Sequence, residues 1–265
     1  MSKEQRYREL ISDVSQYYKA QEDLNKNDPV YLTWCKDCKE INLWTYWQGR
    51  GNLDAKIMLV GQDWGCPVEM SSPIQSIQSI NLGETEEYHF DTTNPTDKNL
   101  VKLFQSIGID ISNGRRDDRL FFTNFVLGYR NKGLTGNFKA KWVRESIPFF
   151  RRLVDIIEPQ IIICLGKTTF CGVLNAFEQP LKIRRYNDYI SCAQNPVCMH
   201  LPSSKPVQVF AVSHCGAIGT LNRNRPKDRY GKSGLDLQKE DWVKIRTALE
   251  SLPRIPPCKP SPFES

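Results

Sequence analysis

Four short, β-branched apolar runs, Lys56–Val60, Leu120–Asn124, Gln160–Leu165 and Val207–Val212, lie at wide separations along the chain. Each is long enough for one strand. Helical periodicity fills much of the sequence between them, over Lys98–Ile107, Trp142–Ile157 and Thr168–Ala176. Strands that alternate with helices require crossover connections, and these make the strands parallel. The pattern predicts an α/β fold, three-layer α/β/α, with a central four-stranded parallel sheet.

The rest of the chain attaches to this frame. Tyr7, Leu10, Ile11, Val14, Tyr17 and Tyr18 recur at helical spacing and predict an amphipathic helix over Lys3–Leu24, stopped by the polar break Asn25-Lys-Asn-Asp-Pro29. This helix is expected to pack across the main domain, and a last helix is expected near Gln238–Ser251. With 265 residues, 40% of them apolar, the chain can bury one sizeable core. Residues 1–252 are therefore read as one domain and the Pro-rich residues 253–265 as a flexible tail.

Charge and cysteine usage limit the setting. A net charge of +6 suits an anionic partner. The N-terminus, MSKEQRYREL, has no apolar core segment, and nowhere does the sequence approach the ~20 apolar residues that cross a bilayer. The expectation is a soluble, cytoplasmic monomer without a membrane partner. Nine cysteines without a signal peptide suggest reduced thiols, core packing or a metal site rather than a disulfide scaffold.

In an open parallel sheet the ligand crevice lies beyond the carboxyl ends of the strands. The first run leads into Gly61-Gln-Asp-Trp-Gly65, read as a tight turn carrying a carboxylate; the second ends at Asn124; the fourth leads into Ser213-His214. A carboxylate, an amide and an imidazole thus converge on one rim. Taken singly, each has a plain reading: a helix N-cap, a turn residue, a satisfied buried histidine. Together they suit cleavage of a glycosidic bond. Asn124 can match the donor and acceptor edge of a pyrimidine, His214 can donate to an oxygen that gains negative charge, and Asp63 can position water or offset a developing cation.

These segments resemble the uracil-DNA glycosylase superfamily, and most closely its iron–sulfur branch. The resemblance runs through Cys35-x-x-Cys38, Gly49-Arg-Gly-Asn52 and Ala55-Lys-Ile-Met-Leu-Val-Gly61. It continues through Phe122-Thr-Asn124, Pro148-Phe-Phe-Arg, Glu158-Pro-Gln-Ile-Ile-Ile-Cys-Leu-Gly166 and Ser213-His214, and so spans roughly Cys35 to Arg225. It implies that Asp63 orients water, that Asn124 reads the base with Gln62 beside it, and that His214 hydrogen-bonds the base carbonyl. Phe90 is the candidate that stacks on a flipped base. The iron–sulfur branch usually lacks an acid at the Asp63 position, so the chain mixes two branches.

Two departures bear on substrate. The last motif reads His214-Cys-Gly-Ala-Ile218-Gly-Thr-Leu221 in place of the usual His-Pro-Ser, which leaves either Ile218 or Leu221 as the wedge that fills the gap of a flipped base. Arg223, Arg225, Lys227, Arg229 and Lys232 follow, and they suit phosphates or form a solvated basic loop. Gly65 replaces a tyrosine that guards the C5 side of the base in the uracil-specific branch. The resemblance therefore admits uracil or a 5-modified pyrimidine, and a role in repair or in defence against viral DNA.

In the resembling branch Cys35 and Cys38 would supply half of a four-cysteine cluster, but the other two positions read Gly128 and Ser146. An iron–sulfur cluster held in the usual way is therefore disfavoured. If the two segments meet, Cys192 and Cys198 could complete a structural zinc site with Cys35 and Cys38. Base cleavage itself needs no cofactor, and a lyase is disfavoured because no lysine stands at these strand ends. The reading is a monofunctional DNA glycosylase. Its rivals are a catalytically silent DNA-binding module of the same fold and a nucleoside hydrolase, which would need neither wedge nor basic run.

Overall fold

The computed structural model describes residues 1–25, 27–34, 52–64, 95–112, 119–133, 138–179, 183, 185–203, 205–224 and 231–251. Within them the chain forms helix α1 (Lys3–Leu24), strands β1 (Leu32–Thr33) and β2 (Ile57–Trp64), helix α2 (Pro95–Ser106), strand β3 (Leu120–Arg130) and helix α3 (Ala140–Ile157). Strand β4 (Ile161–Leu165), helices α4 (Lys167–Ala176) and α5 (Tyr186–Gln194), strands β5 (Val197–His200) and β6 (Pro206–Val212), and helices α6 (Ala217–Asn224) and α7 (Gly234–Ser251) follow.

One six-stranded sheet has the order β1-β3-β2-β4-β6-β5. The inner four strands, β3-β2-β4-β6, are parallel, which is the predicted centre of the α/β/α fold. Two short antiparallel strands, β1 on β3 and β5 on β6, extend it at the edges and correct the count from four strands to six. From β2 the chain crosses to β3 on one side, and β4 then pairs with β2 on the other. The strand order therefore reverses between β2 and β4, where α/β sheets open a crevice at their carboxyl ends.

Alternation of side chains along the strands divides the core in two. Met58 and Val60, Phe121 and Phe125, Ile162 and Cys164, and Val209 and Ala211 face α1, α3, α4 and α5. Ile57 and Leu59, Leu120 and Phe122, Ile161 and Ile163, and Phe210 and Val212 face α2 and α7, whose Phe104 and Trp242 meet edge to face at 5.0 Å. Every residue of β4 is buried, as expected of a parallel strand covered on both faces.

Helix α1 has the bounds its periodicity predicts, and the Ser2 side chain caps it by accepting from the Gln5 amide. The middle strands run further than expected. Gln62 and Asp63 belong to β2 rather than to a turn after it, and Asn124 lies mid-strand, because β2 and β3 stay paired up to a bulge at Asp63/Trp64. No helix among the described residues is long and apolar enough to cross a membrane. Residues 252–265, which include the expected tail, lie outside the described residues.

Candidate active site

Gly61 pairs with Asn124 across β2 and β3. A period of two carries the face of Ile57 and Leu59 on to Gly61, and that of Leu120 and Phe122 on to Asn124. Gly61 and Asn124 thus share the α2/α7 face of the sheet, and the Asp63 carboxylate is near enough to the His214 ring to act on its charge. Asn124 is 8% exposed and lies across Gly61: a Cβ at Gly61 would stand 2.1 Å from its Oδ1. Only a residue without a side chain at position 61 permits this placement.

Asp63 has two partners. Its Oδ1 accepts from Gln62 Nε2 at 3.0 Å, and its Oδ2 accepts from Arg130 Nε at 2.5 Å. The Asp63 and Arg130 side chains are 7% and 4% exposed, so this is a buried ion pair. Arg130 also lies 5.9 Å from the ring centre of Trp142. Sequence reasoning missed Arg130, the one cation in an otherwise uncharged eleven-residue strand whose every residue is buried. A buried cation requires an anion, and that was the available signal.

His214 follows β6. Its Nδ1 accepts from the Gly216 amide at 3.0 Å, which makes Nδ1 the unprotonated nitrogen and leaves the proton of the neutral ring on Nε2. The residue is open to solvent on one side, yet the protein around the ring holds its pKa below the ordinary 6.5, with the Asp63 carboxylate opposing that shift. The imidazole is accordingly a neutral donor at pH 7 that senses the charge of Asp63.

Beyond His214, Ile218 and Leu221 stand one turn apart on α6 and are 76% and 61% exposed. Arg223, expected among the phosphate contacts, instead points inward. It is 4% exposed, and its Nε and Nη2 grip both carboxylate oxygens of Asp241 at 2.6 and 2.8 Å. Gly65, Phe90, Arg225, Lys227 and Arg229, together with Cys35 and Cys38, lie outside the described residues.

The other cysteine candidates stand on different elements. Cys192, half-buried on α5, donates its thiol to the Asp188 carbonyl, and Cys198 is exposed on β5. Among the described residues no three His, Cys, Asp or Glu side chains form a metal-binding group. Where the resembling branch would carry its third and fourth cysteines, Tyr18 of α1 fills the space. Its ring would meet a Cβ at Gly128 at 2.6 Å, and its hydroxyl is 2.9 Å from Ser146 Oγ. Burial raises the Tyr18 pKa, so the hydroxyl stays protonated.

No protein-family model matches this chain, and no curated protein matches it.

Proposed function

We propose that the chain is a monofunctional DNA glycosylase that flips a pyrimidine, uracil or a 5-modified base, and hydrolyses its N-glycosidic bond. The observation that carries this reading is that Asn124 is laid across Gly61 where β2 pairs with β3, while the Asp63 carboxylate at the end of β2 acts on the His214 ring that follows β6.

In this reading Asn124 offers its amide donor and acceptor to the edge of the base. As the bond between C1′ and the base nitrogen breaks, its electron pair passes to the base. The Nε2–H of His214 then donates to the carbonyl oxygen where that charge gathers; a neutral donor suits this task, because it gives a hydrogen bond without giving up its proton. Asp63, with Gln62 on one oxygen and Arg130 on the other, serves as a fixed acceptor for the attacking water and as a negative charge beside the sugar cation. Water adds to C1′, its proton passes to solvent or to the departing base, and an abasic site remains. The exposed Ile218 and Leu221 suit the gap that a flipped base leaves in the stack.

The Asp63–Arg130 pair favours a second reading, since a carboxylate committed to a guanidinium is less available to water. That reading is a DNA-binding module without catalysis. Single-turnover release of base from oligonucleotides carrying uracil, mismatched thymine or 5-substituted cytosine separates the two, with Asp63→Asn and His214→Ala as controls. Release of uracil supports repair, and release of only 5-substituted bases supports defence. Tight, salt-sensitive binding with no release supports the silent module. Loss of one preorganised donor costs roughly 10²–10³-fold in rate, which is the effect expected of His214→Ala.

A further inference from the structure

The segment Ser213–Thr220 carries two parts of the proposed reaction, His214 at one end and the exposed face of α6 at the other. One fully buried side chain of α7 joins them. Gln238 is 0% exposed and uses both ends of its amide. Its Nε2 donates to the His214 carbonyl at 3.0 Å and to the Ser213 carbonyl at 3.4 Å, while its Oε1 accepts from Thr220 Oγ1 at 3.3 Å.

The segment is also folded tightly on itself. A Cβ at Gly219 would stand 2.1 Å from the His214 carbonyl oxygen, so the first turn of α6 rests directly on the backbone of His214. Asn99 of α2 donates to the Cys215 carbonyl at 2.8 Å, and the Arg223–Asp241 pair ties the far end of α6 to α7 one turn beyond Gln238. Direct contacts and hydrogen bonds thereby join α6 to the backbone that carries the imidazole.

We infer that Gln238 is a positioning residue that couples α6, the part poised against the duplex, to the orientation of the His214 imidazole. The inference rests on the glycosylase reading for its consequence, though not for its geometry. Insertion of Ile218 or Leu221 and the direction of Nε2–H toward the base are then linked through one side chain.

Gln238→Met keeps the side-chain length and removes both polar ends. Single-turnover release from duplex is expected to fall about 10- to 100-fold, the size of effect that small misplacement of a reacting group produces, with duplex affinity changed less than about threefold. Because Gln238 acts through His214, adding Gln238→Met to His214→Ala is expected to lower the rate no further. The ¹⁵N shifts of the His214 ring give a readout independent of activity: they are expected to move in Gln238→Met as the Nδ1 bond to Gly216 loosens. Wild-type release together with unmoved nitrogen shifts would overturn the inference, as would a full additional loss in the His214→Ala background. If the wild-type chain releases no base from any oligonucleotide, the glycosylase reading fails, and the nitrogen shifts alone decide the role of Gln238. Should Gln238→Met not fold, Gln238→Glu, isosteric and unable when ionised to donate to the carbonyls, is held to the same criteria.

Discussion

The side-chain oxygen of Asn124 occupies the space in which a β-carbon on Gly61 would stand, 2.1 Å away. The two residues are paired across β2 and β3, so neither backbone can withdraw without breaking the centre of the sheet. Gly61→Ala is expected to turn Asn124 out of place, with an overpacking cost of about 1–3 kcal/mol. If Asn124 reads the base, release also falls about 10- to 100-fold, the worth of one bidentate base contact. Denaturation and single-turnover release on the same variant check both.

The Asp63–Arg130 pair predicts an asymmetry. Arg130→Met strands a buried carboxylate and is expected to destabilise the protein by about 3–5 kcal/mol. Arg130→Met combined with Asp63→Asn removes both charges and is expected to recover most of that loss. Chemical denaturation of the two single variants and the double variant measures it, and additive losses would mean that the pair is not coupled.

His214 makes stability depend on pH in a definite direction. Its folded pKa lies below the ordinary 6.5, chiefly because the protein packed beside the ring partly desolvates it, with the Asp63 carboxylate opposing the shift. As pH falls through 6.5 the unfolded chain takes up a proton before the folded chain does, so stability is present above 6.5 and is lost downward through the folded pKa. Protonation also ends the acceptance by Nδ1 from Gly216. Denaturation midpoints are expected to fall from pH 7 toward about pH 5, and His214→Ala should remove that component of the fall.

Arg223 separates charge from function. A phosphate contact would reveal itself in the salt dependence of DNA binding. The bidentate pair with Asp241, side chains 5% and 1% exposed, predicts instead that Arg223→Met lowers stability by about 3–5 kcal/mol and leaves the salt slope unchanged. Binding titrations over a range of salt, on protein shown to be folded, decide between these outcomes.

Tyr18 tests the place where the resembling branch would hold a cluster. Gly128→Ala would press a methyl group into its ring and is expected to cost about 1–3 kcal/mol. Because the two residues touch, Tyr18→Leu and Gly128→Ala should cost less together than the sum of their separate effects. Additivity would mean that α1 is not what excludes side chains at position 128.

What could be read in the sequence follows the range of the forces involved. Helix α1 keeps its predicted bounds because its apolar period and its stop are local signals, and the four parallel strands stand out because burial on both faces makes each a continuous apolar run. The edge strands β1 and β5, two and four residues long, carry too little pattern of their own and exist by pairing with β3 and β6. Likewise, the short helices α5 and α6 form where packing against β6 and α7 holds them.

The site divides along the same line. Residue type and position at the ends of apolar runs make Asp63, Asn124 and His214 candidates from the sequence alone, since the crevice of a parallel sheet lies beyond the carboxyl ends of its strands. Which groups those side chains meet is a different matter. Arg130 lies sixty-seven residues from Asp63, and Gln238 lies twenty-four from His214. Arg223 sits among basic neighbours in sequence and against Asp241 in space. A buried charge or amide takes its partner from whatever the packed helices bring within about 3 Å, and that proximity arises only when the sheet and its two helical layers close together.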